Sequence, residues 1–511
     1  MNKKRVNQLR VGVVLSYVNL ALGSLIPMFY TPVMLQTLGT AEHGLYSLAN
    51  STVGYLSLLG FGFGSTIIRY MAKFRAENDQ EAISQTYGFF LKLYSGLSLL
   101  VLLGGAILTW CASQIFANSL TVGEVQKIRL LIPILSFHTA ITFPLSVFNS
   151  LIISHERYLY RRVMDILATL LAPVCNLFIL FLGFASVGLA LSSTLLQIVL
   201  CIPNVVYCTR VLGIRPSFKP IPRELIREIL GFSGYVFLGS IVDMLFWATD
   251  KVILGMLVGS AAVSVYQIGG TFNSMVMQLS SSISGVLAPK ITGMVARDAP
   301  TEVLSELFNR VGRVQFLIVA LIVSGFAAFG RPFIQLWAGE GYRDAYWITV
   351  LTLFPLCVPL IQNTGLQILM AQNRHKFRSV LYFIIAILNV ISTWLIIPYM
   401  GGIGAALCSC ISYLLGQGLV MNAYYYKVVG INIPQFWKEI GKLSTVPAIL
   451  MLLTLVLQRF IVFDSWLTFF AGVIVYTGLY GIGMYCFCMN GYEKALIQDS
   501  LNKIILLVCR R

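Results

Sequence analysis

The chain has 511 residues, of which 57% are hydrophobic and only 11% charged. Soluble chains carry about 25% charged residues, so this composition excludes an ordinary soluble protein and predicts a polytopic membrane protein. A formal charge of +16 would indicate nucleic acid in a soluble chain; in a membrane chain it bears on orientation, and no nucleic-acid partner is expected.

In chain order, basic Met1–Arg10 leads into an apolar run through Pro27 and Pro32 to Leu38. That is too long for a signal-peptide core, so it is read as the first transmembrane helix. Apolar segments of spanning length lie at about 11–38, 44–72, 85–116, 129–153, 163–183, 186–209, 229–258, 262–293, 311–336, 345–370, 379–399, 401–426, 443–462 and 465–489. The expectation is an all-α membrane protein of about fourteen helices. Within helix two, Gly60–Phe61–Gly62–Phe63–Gly64 predicts close packing or a bend, because it does not join a strand to a helix as a phosphate loop does. Pro27, Pro32, Pro133, Pro144, Pro173, Pro289, Pro355 and Pro359 are expected to break or bend helices. The ten cysteines show no metal or redox spacing, and no metal site or cofactor is expected.

Charge sets the orientation. Of 36 Lys and Arg, 29 fall in loops on the side of the N-terminus and five on the other, with Lys92 and Lys251 inside helices. The positive-inside rule then puts both termini in the cytoplasm. The halves echo each other: Gly39 and Tyr46 recur as Gly259 and Tyr266, an offset of 220, and Arg157, Arg161 and Val163 as Arg374, Arg378 and Val380, an offset of 217. VGLAL at 187–191 answers GIGAAL at 402–407. This predicts two parallel six-helix repeats with two helices appended. The expected division is a lobe at 1–212, an amphipathic linker at 213–228, a lobe at 229–428, helices thirteen and fourteen at 429–490, and an amphipathic tail at 491–511, linker and tail lying on the membrane surface.

Phe232–Tyr266 holds the chemistry. It carries Asp243, Asp250 and Lys251 inside a span, where a lone charge costs roughly 2.5–3.5 kcal/mol and normally faces protein or water. Asp243 and Asp250 are seven apart, on one helical face about 10 Å apart. They read either as an ion pair locking helix seven to a neighbour or as the wall of a polar chamber that titrates or binds. Lys92, Arg69 and Lys290 sit near helix ends, where snorkelling to headgroups and cavity lining are both open. His138 reads as a packing histidine or an ion-coupling group, and Asp165 is expected to pair with Arg161 or Arg162. Asn19, Asn176, Asn273, Gln278, Gln362, Asn363 and Asn389 fall in spans, as interhelical glue or sugar-binding amides.

TLGTAEHGLYSLA (37–49), GFGFGSTIIRYMA (60–72), ATDKVILGMLVGSAAVSVYQIG (248–269) and the turn at 402–407 resemble the Wzx-type oligosaccharide flippases. These form the polysaccharide-transporter branch of the multidrug/oligosaccharidyl-lipid/polysaccharide exporter superfamily. The resemblance covers nearly the whole chain. It implies a MATE-like V of two pseudo-symmetric bundles that moves an undecaprenyl-pyrophosphate-linked oligosaccharide across the cytoplasmic membrane for capsule, exopolysaccharide or O-antigen. It implies a cationic cavity, matched in type by Arg69, Lys92, Lys251 and Lys290, with Asn273 beside them. Asp243, Asp250 and His138 are the candidates for coupling to H+ or Na+. The expected partners are the lipid-linked substrate, membrane lipids and glycosyltransferases or polymerases. A lipid II-type or teichuronic-type flippase and a cation-coupled multidrug exporter are the alternatives. The chain departs from the lipid II relative in having no arginine in helix one past Arg10. No catalytic residues are expected.

Overall fold

A computed structural model describes residues 3–496 except 373, 375 and 462, together with 498 and 499; most of the expected tail at 491–511 lies outside these. The described chain is almost wholly helical, and eleven of its helices are long and apolar enough to cross a membrane. Two of them are double. α1 (Lys3–Gly54) turns at Gly39, φ +76°, ψ 171°. α13 (Lys376–Tyr413) turns at Gly401, φ +54°, ψ −138°. With about 20 residues needed per crossing, the 59-residue apolar run Val18–Ala76 and the 54-residue run Lys376–Val429 each hold two spans. With the helix Ser260–Val295, which covers the expected segment 262–293, each of the fourteen expected segments has a helical counterpart.

The two sharpest turns inside long helices fall at glycines, Gly39 and Gly401. All eight prolines singled out lie inside helices. A proline frees one carbonyl, which a neighbouring helix can meet, whereas a positive φ redirects the chain. In helix two the turn Tyr55–Gly60 is followed by Phe61 at φ +48° and Gly62 at φ +64°, so the glycine run makes the expected bend. A Cβ on Gly62 would lie 2.4 Å from Val236 Cγ1, so the site also demands close packing.

Contacts group the chain into two compact units, Met1–Gln267 with Ala386–Gly402, and Ile268–Ile385 with Ile403–Arg511. Unit one holds the rest of the first repeat: α2 (Phe63–Ala76), α3 (Gln80–Ile115), α4 (Val122–Ser154), α5 (Tyr158–Phe181) and α6 (Ala185–Val206). It also takes α7 (Arg223–Trp247), α8 (Thr249–Leu257) and the start of α9 (Ser260–Val295). α4 begins with a reciprocal capping box between Thr121 and Glu124. The core gathers Phe63, Ile67, Tyr87, Phe90 and Val147. The C-terminal part of the expected linker at 213–228 is continuous with α7 from Arg223. Ile221 and Ile229 are buried in that core, because their apolar stripe finds protein rather than lipid.

Unit two holds most of α9, then α10 (Thr301–Ala338), α11 (Ala345–Ile361), α12 (Asn363–Ala371) and most of α13. The short helix Ile433–Leu443 and the helices Thr445–Leu457 and Trp466–Gly483 complete it. Phe308, Ile361, Tyr425, Phe436 and Met484 form its core. Both repeats close the same turn. The amide of Arg157 donates to Ile152 and that of Arg374 to Leu369, each five residues back and 217 apart.

Candidate functional site

Helix seven carries a one-residue irregularity. α7 ends at Trp247, Ala248 stands at φ −110°, and α8 restarts at Thr249. Asp243 and Asp250 differ in environment: Asp243 is exposed, while Asp250 is 1% exposed. Backbone bonds of helical spacing run through Ala248, from its amide to Met244 and from the Val252 amide to its carbonyl, so the helix continues and the two carboxylates differ in burial along it.

α8 and α9 form a tight hairpin around Gly259, φ +123°. Two side-chain rungs cross it. Tyr266 Oη donates to Asp250 Oδ2 at 2.5 Å, and Lys251 Nζ donates to Gln267 Oε1 at 2.9 Å. Sequence reasoning singled out Asp250 and Lys251 but not their partners. The signal was present, since a hairpin turning near 258–259 folds the residues about eight before the turn against those about eight after it. A buried carboxylate is tolerable only with donors such as the phenol.

The hairpin is seated on the first repeat. His43 Nδ1 lies 2.7 Å from Ser264 Oγ, and Ser260 Oγ donates to Glu124 at 2.5 Å. Ser119 Oγ donates to the Gly255 carbonyl at 2.5 Å, and Tyr55 Oη is 2.5 Å from Thr249 Oγ1. A Cβ on Gly44 would lie 1.8 Å from Ser260 O. Toward the other end of α7, Thr66 Oγ1 lies 2.7 Å from Ser233 Oγ, and Tyr70 Oη donates to Glu228 at 3.4 Å. Small residues let these helices approach closely enough for side chains to bond across them.

The remaining candidates scatter. Arg69 is exposed, its guanidinium 4.6 Å from the Phe232 ring centroid. Lys92 is exposed on α3, and Lys290 on α9 after Pro289. His138 is half-buried on α4, its Nδ1 without a hydrogen-bond partner among the described residues. Asn273, 1% exposed, donates to Thr352 Oγ1 at 2.8 Å, as interhelical glue does. Lys290 and Asn273 belong to unit two and the other candidates to unit one. Asp165 meets both expected partners, Arg161 at 2.9 Å and Arg162 at 3.4 Å. Among the described residues no His/Cys/Asp/Glu cluster could hold a metal ion.

Residues 10–295, more than half of the chain, match the family described as polysaccharide biosynthesis protein. The "uncharacterized membrane protein EpsK" of Bacillus subtilis is 21% identical over 486 residues, which cover 93% of this chain and 94% of that protein. The "probable low-salt glycan biosynthesis flippase Agl15" of Haloferax volcanii is 20% identical over 211 residues, 41% of this chain and 43% of its own length. Among solved structures, the lipid II flippase MurJ in an inward closed conformation superposes with a TM-score of 0.72 at 15% identity, covering 92% of this chain and 97% of MurJ. An inward-facing multidrug resistance MATE family transporter of the MOP superfamily reaches 0.67 at 13% identity, covering 81% and 98%. At these identities the structural likeness concerns the fold, whereas the family follows from the length of the sequence match. The chain belongs to the polysaccharide biosynthesis protein family.

Proposed function

We propose that the protein is a flippase that carries an undecaprenyl-pyrophosphate-linked oligosaccharide from the inner to the outer leaflet of the bacterial cytoplasmic membrane, with both termini inside. The observation that carries this reading is the α8–α9 hairpin, which holds a carboxylate and a lysine within the bundle of a chain from a polysaccharide biosynthesis family. The named flippases among its relatives and fold neighbours support it. Family and fold favour transport over catalysis.

In this mechanism pyrophosphate and sugar cannot enter hydrocarbon unaided, because shedding their water costs too much. Lys251, held in the hairpin of unit one, replaces part of that water while the lipid tail stays in the bilayer. Lobes 1–212 and 229–428 then rock to open the path outward. With the cell interior negative, moving two anionic charges outward is favoured by about 4–5 kcal/mol per 100 mV. Asp250 or Asp243 couples the cycle to H+ or Na+.

The test replaces Asp250 by Asn and Lys251 by Gln, singly, and measures polymer export against membrane protein level. Loss of export at normal level is expected; unchanged export in both variants removes the hairpin from the site. A lipid II-type or teichuronic-type flippase and a multidrug exporter use the same fold, and complementation of strains lacking each activity separates them.

A further inference from the structure

Unit two contains a cavity of about 600 Å³ that the transport reading does not use. Its walls are the first turns of α10, the turn at Gly430, the helix starting at Ile433, and Asn490–Tyr492. Arg313 is part of its lining and is 7% exposed. It donates from Nε to Glu493 Oε1 at 2.6 Å and from Nη2 to Oε2 at 2.9 Å, while Nη1 reaches Glu439 at 3.3 Å. Glu493 is 2% exposed. This buried fork makes one side of the cavity rigid.

The polar groups around it sort into two sets. Several are satisfied internally. Asn432 caps its helix through Gln435 N and donates to Gln435 Oε1, Gln435 donates to Glu439, and Asn490 accepts from Glu493 N. Four are not. Glu302 and Glu306 have no hydrogen bond or ion pair among the described residues, and the Asn309 carboxamide, on a residue 8% exposed, leaves Oδ1 without a partner. Arg310 lies flat on Tyr492, 3.4 Å from the ring centroid, which fixes its plane and leaves its N–H edge available. All four lie on one side of α10, at positions 302, 306, 309 and 310.

Two carboxylates and an amide oxygen want N–H donors carrying positive charge, and a guanidinium edge wants an oxyanion. A lone cation leaves Arg310 unanswered, and a lone anion leaves the carboxylates unanswered. A primary ammonium joined to a phosphate answers both. The cavity lies along the charged start of α10, before the apolar run that follows Arg313, where a span meets its polar flank, and its volume suits a small ligand. We infer that it binds the phosphoethanolamine headgroup of an aminophospholipid, the ammonium at Glu302, Glu306 and Asn309 and the phosphate at Arg310.

The test uses the purified full chain in detergent, with phosphatidylethanolamine, phosphatidylcholine, phosphatidylglycerol or soluble phosphoethanolamine added, and reads retained lipid by native mass spectrometry. Phosphatidylethanolamine should be retained about tenfold better than phosphatidylcholine, which lacks ammonium N–H, and than phosphatidylglycerol, which lacks the cation. Glu306→Gln and Arg310→Gln, both at exposed positions, should each remove the preference without lowering the unfolding midpoint of lipid-free protein. Equal retention of the three lipids, or variants that keep the preference, overturns the site. Soluble phosphoethanolamine binding as tightly as the lipid overturns the lipid as its source.

Discussion

Gly44→Ala is the sharpest test of how the α8–α9 hairpin is seated. The added Cβ would lie 1.8 Å from the Ser260 carbonyl oxygen, whereas a carbon and an oxygen in contact sit about 3.3 Å apart or more. α1 and α9 must therefore part by roughly 1.5 Å. That stretches His43–Ser264 from 2.7 Å to about 4 Å, beyond a hydrogen bond, and Ser260–Glu124, now 2.5 Å, lengthens with it. Each lost bond between buried groups costs about 1–3 kcal/mol, and the strained packing about 1–3 kcal/mol more. A loss of about 3–6 kcal/mol is expected after relaxation. The assay is the unfolding midpoint of purified protein in detergent. Gly64→Ala, with nothing within 4 Å of its Cβ, serves as a control that stays neutral or gains slightly from better helix propensity. If the two variants unfold alike, the close approach of α1 and α9 is refuted.

Arg313→Gln leaves Glu493 buried without its cation, so a loss of about 3–5 kcal/mol is expected; Arg313→Met with Glu493→Leu should recover most of it in a double-mutant cycle. A single-variant loss under about 1 kcal/mol would refute the buried fork. His155, beyond the end of α4, is held below the ordinary imidazole value by burial, with Arg75 and Arg157 adding to the effect and a hydrogen bond to the Leu151 carbonyl opposing it. Above about pH 6.5 it is neutral folded or unfolded. As pH falls through that value the unfolded chain takes the proton first, so stability declines until the lower folded value is passed. The unfolding midpoint should drop between pH 7.5 and 5.5 more in wild type than in His155→Gln; equal slopes would refute it.

Hydrophobic run length was enough to establish the helical membrane fold and its segments, because a bilayer forces every backbone group to be satisfied within its own segment. Gly39 and Gly259 mark turns in one dimension as they do in three. Local spacing foretold the Asp165 pairs with Arg161 and Arg162, but only tertiary structure decided which polar residues meet across helices. Helical spacing placed Asp243 and Asp250 on a common face, but packing buries Asp250 and leaves Asp243 exposed. Tyr266 and Gln267 became the partners of Asp250 and Lys251 because the turn at Gly259 folds α9 back along α8. The Arg313–Glu493 fork joins residues 180 positions apart, a separation at which no local periodicity carries information; their pairing depends on how the helices pack.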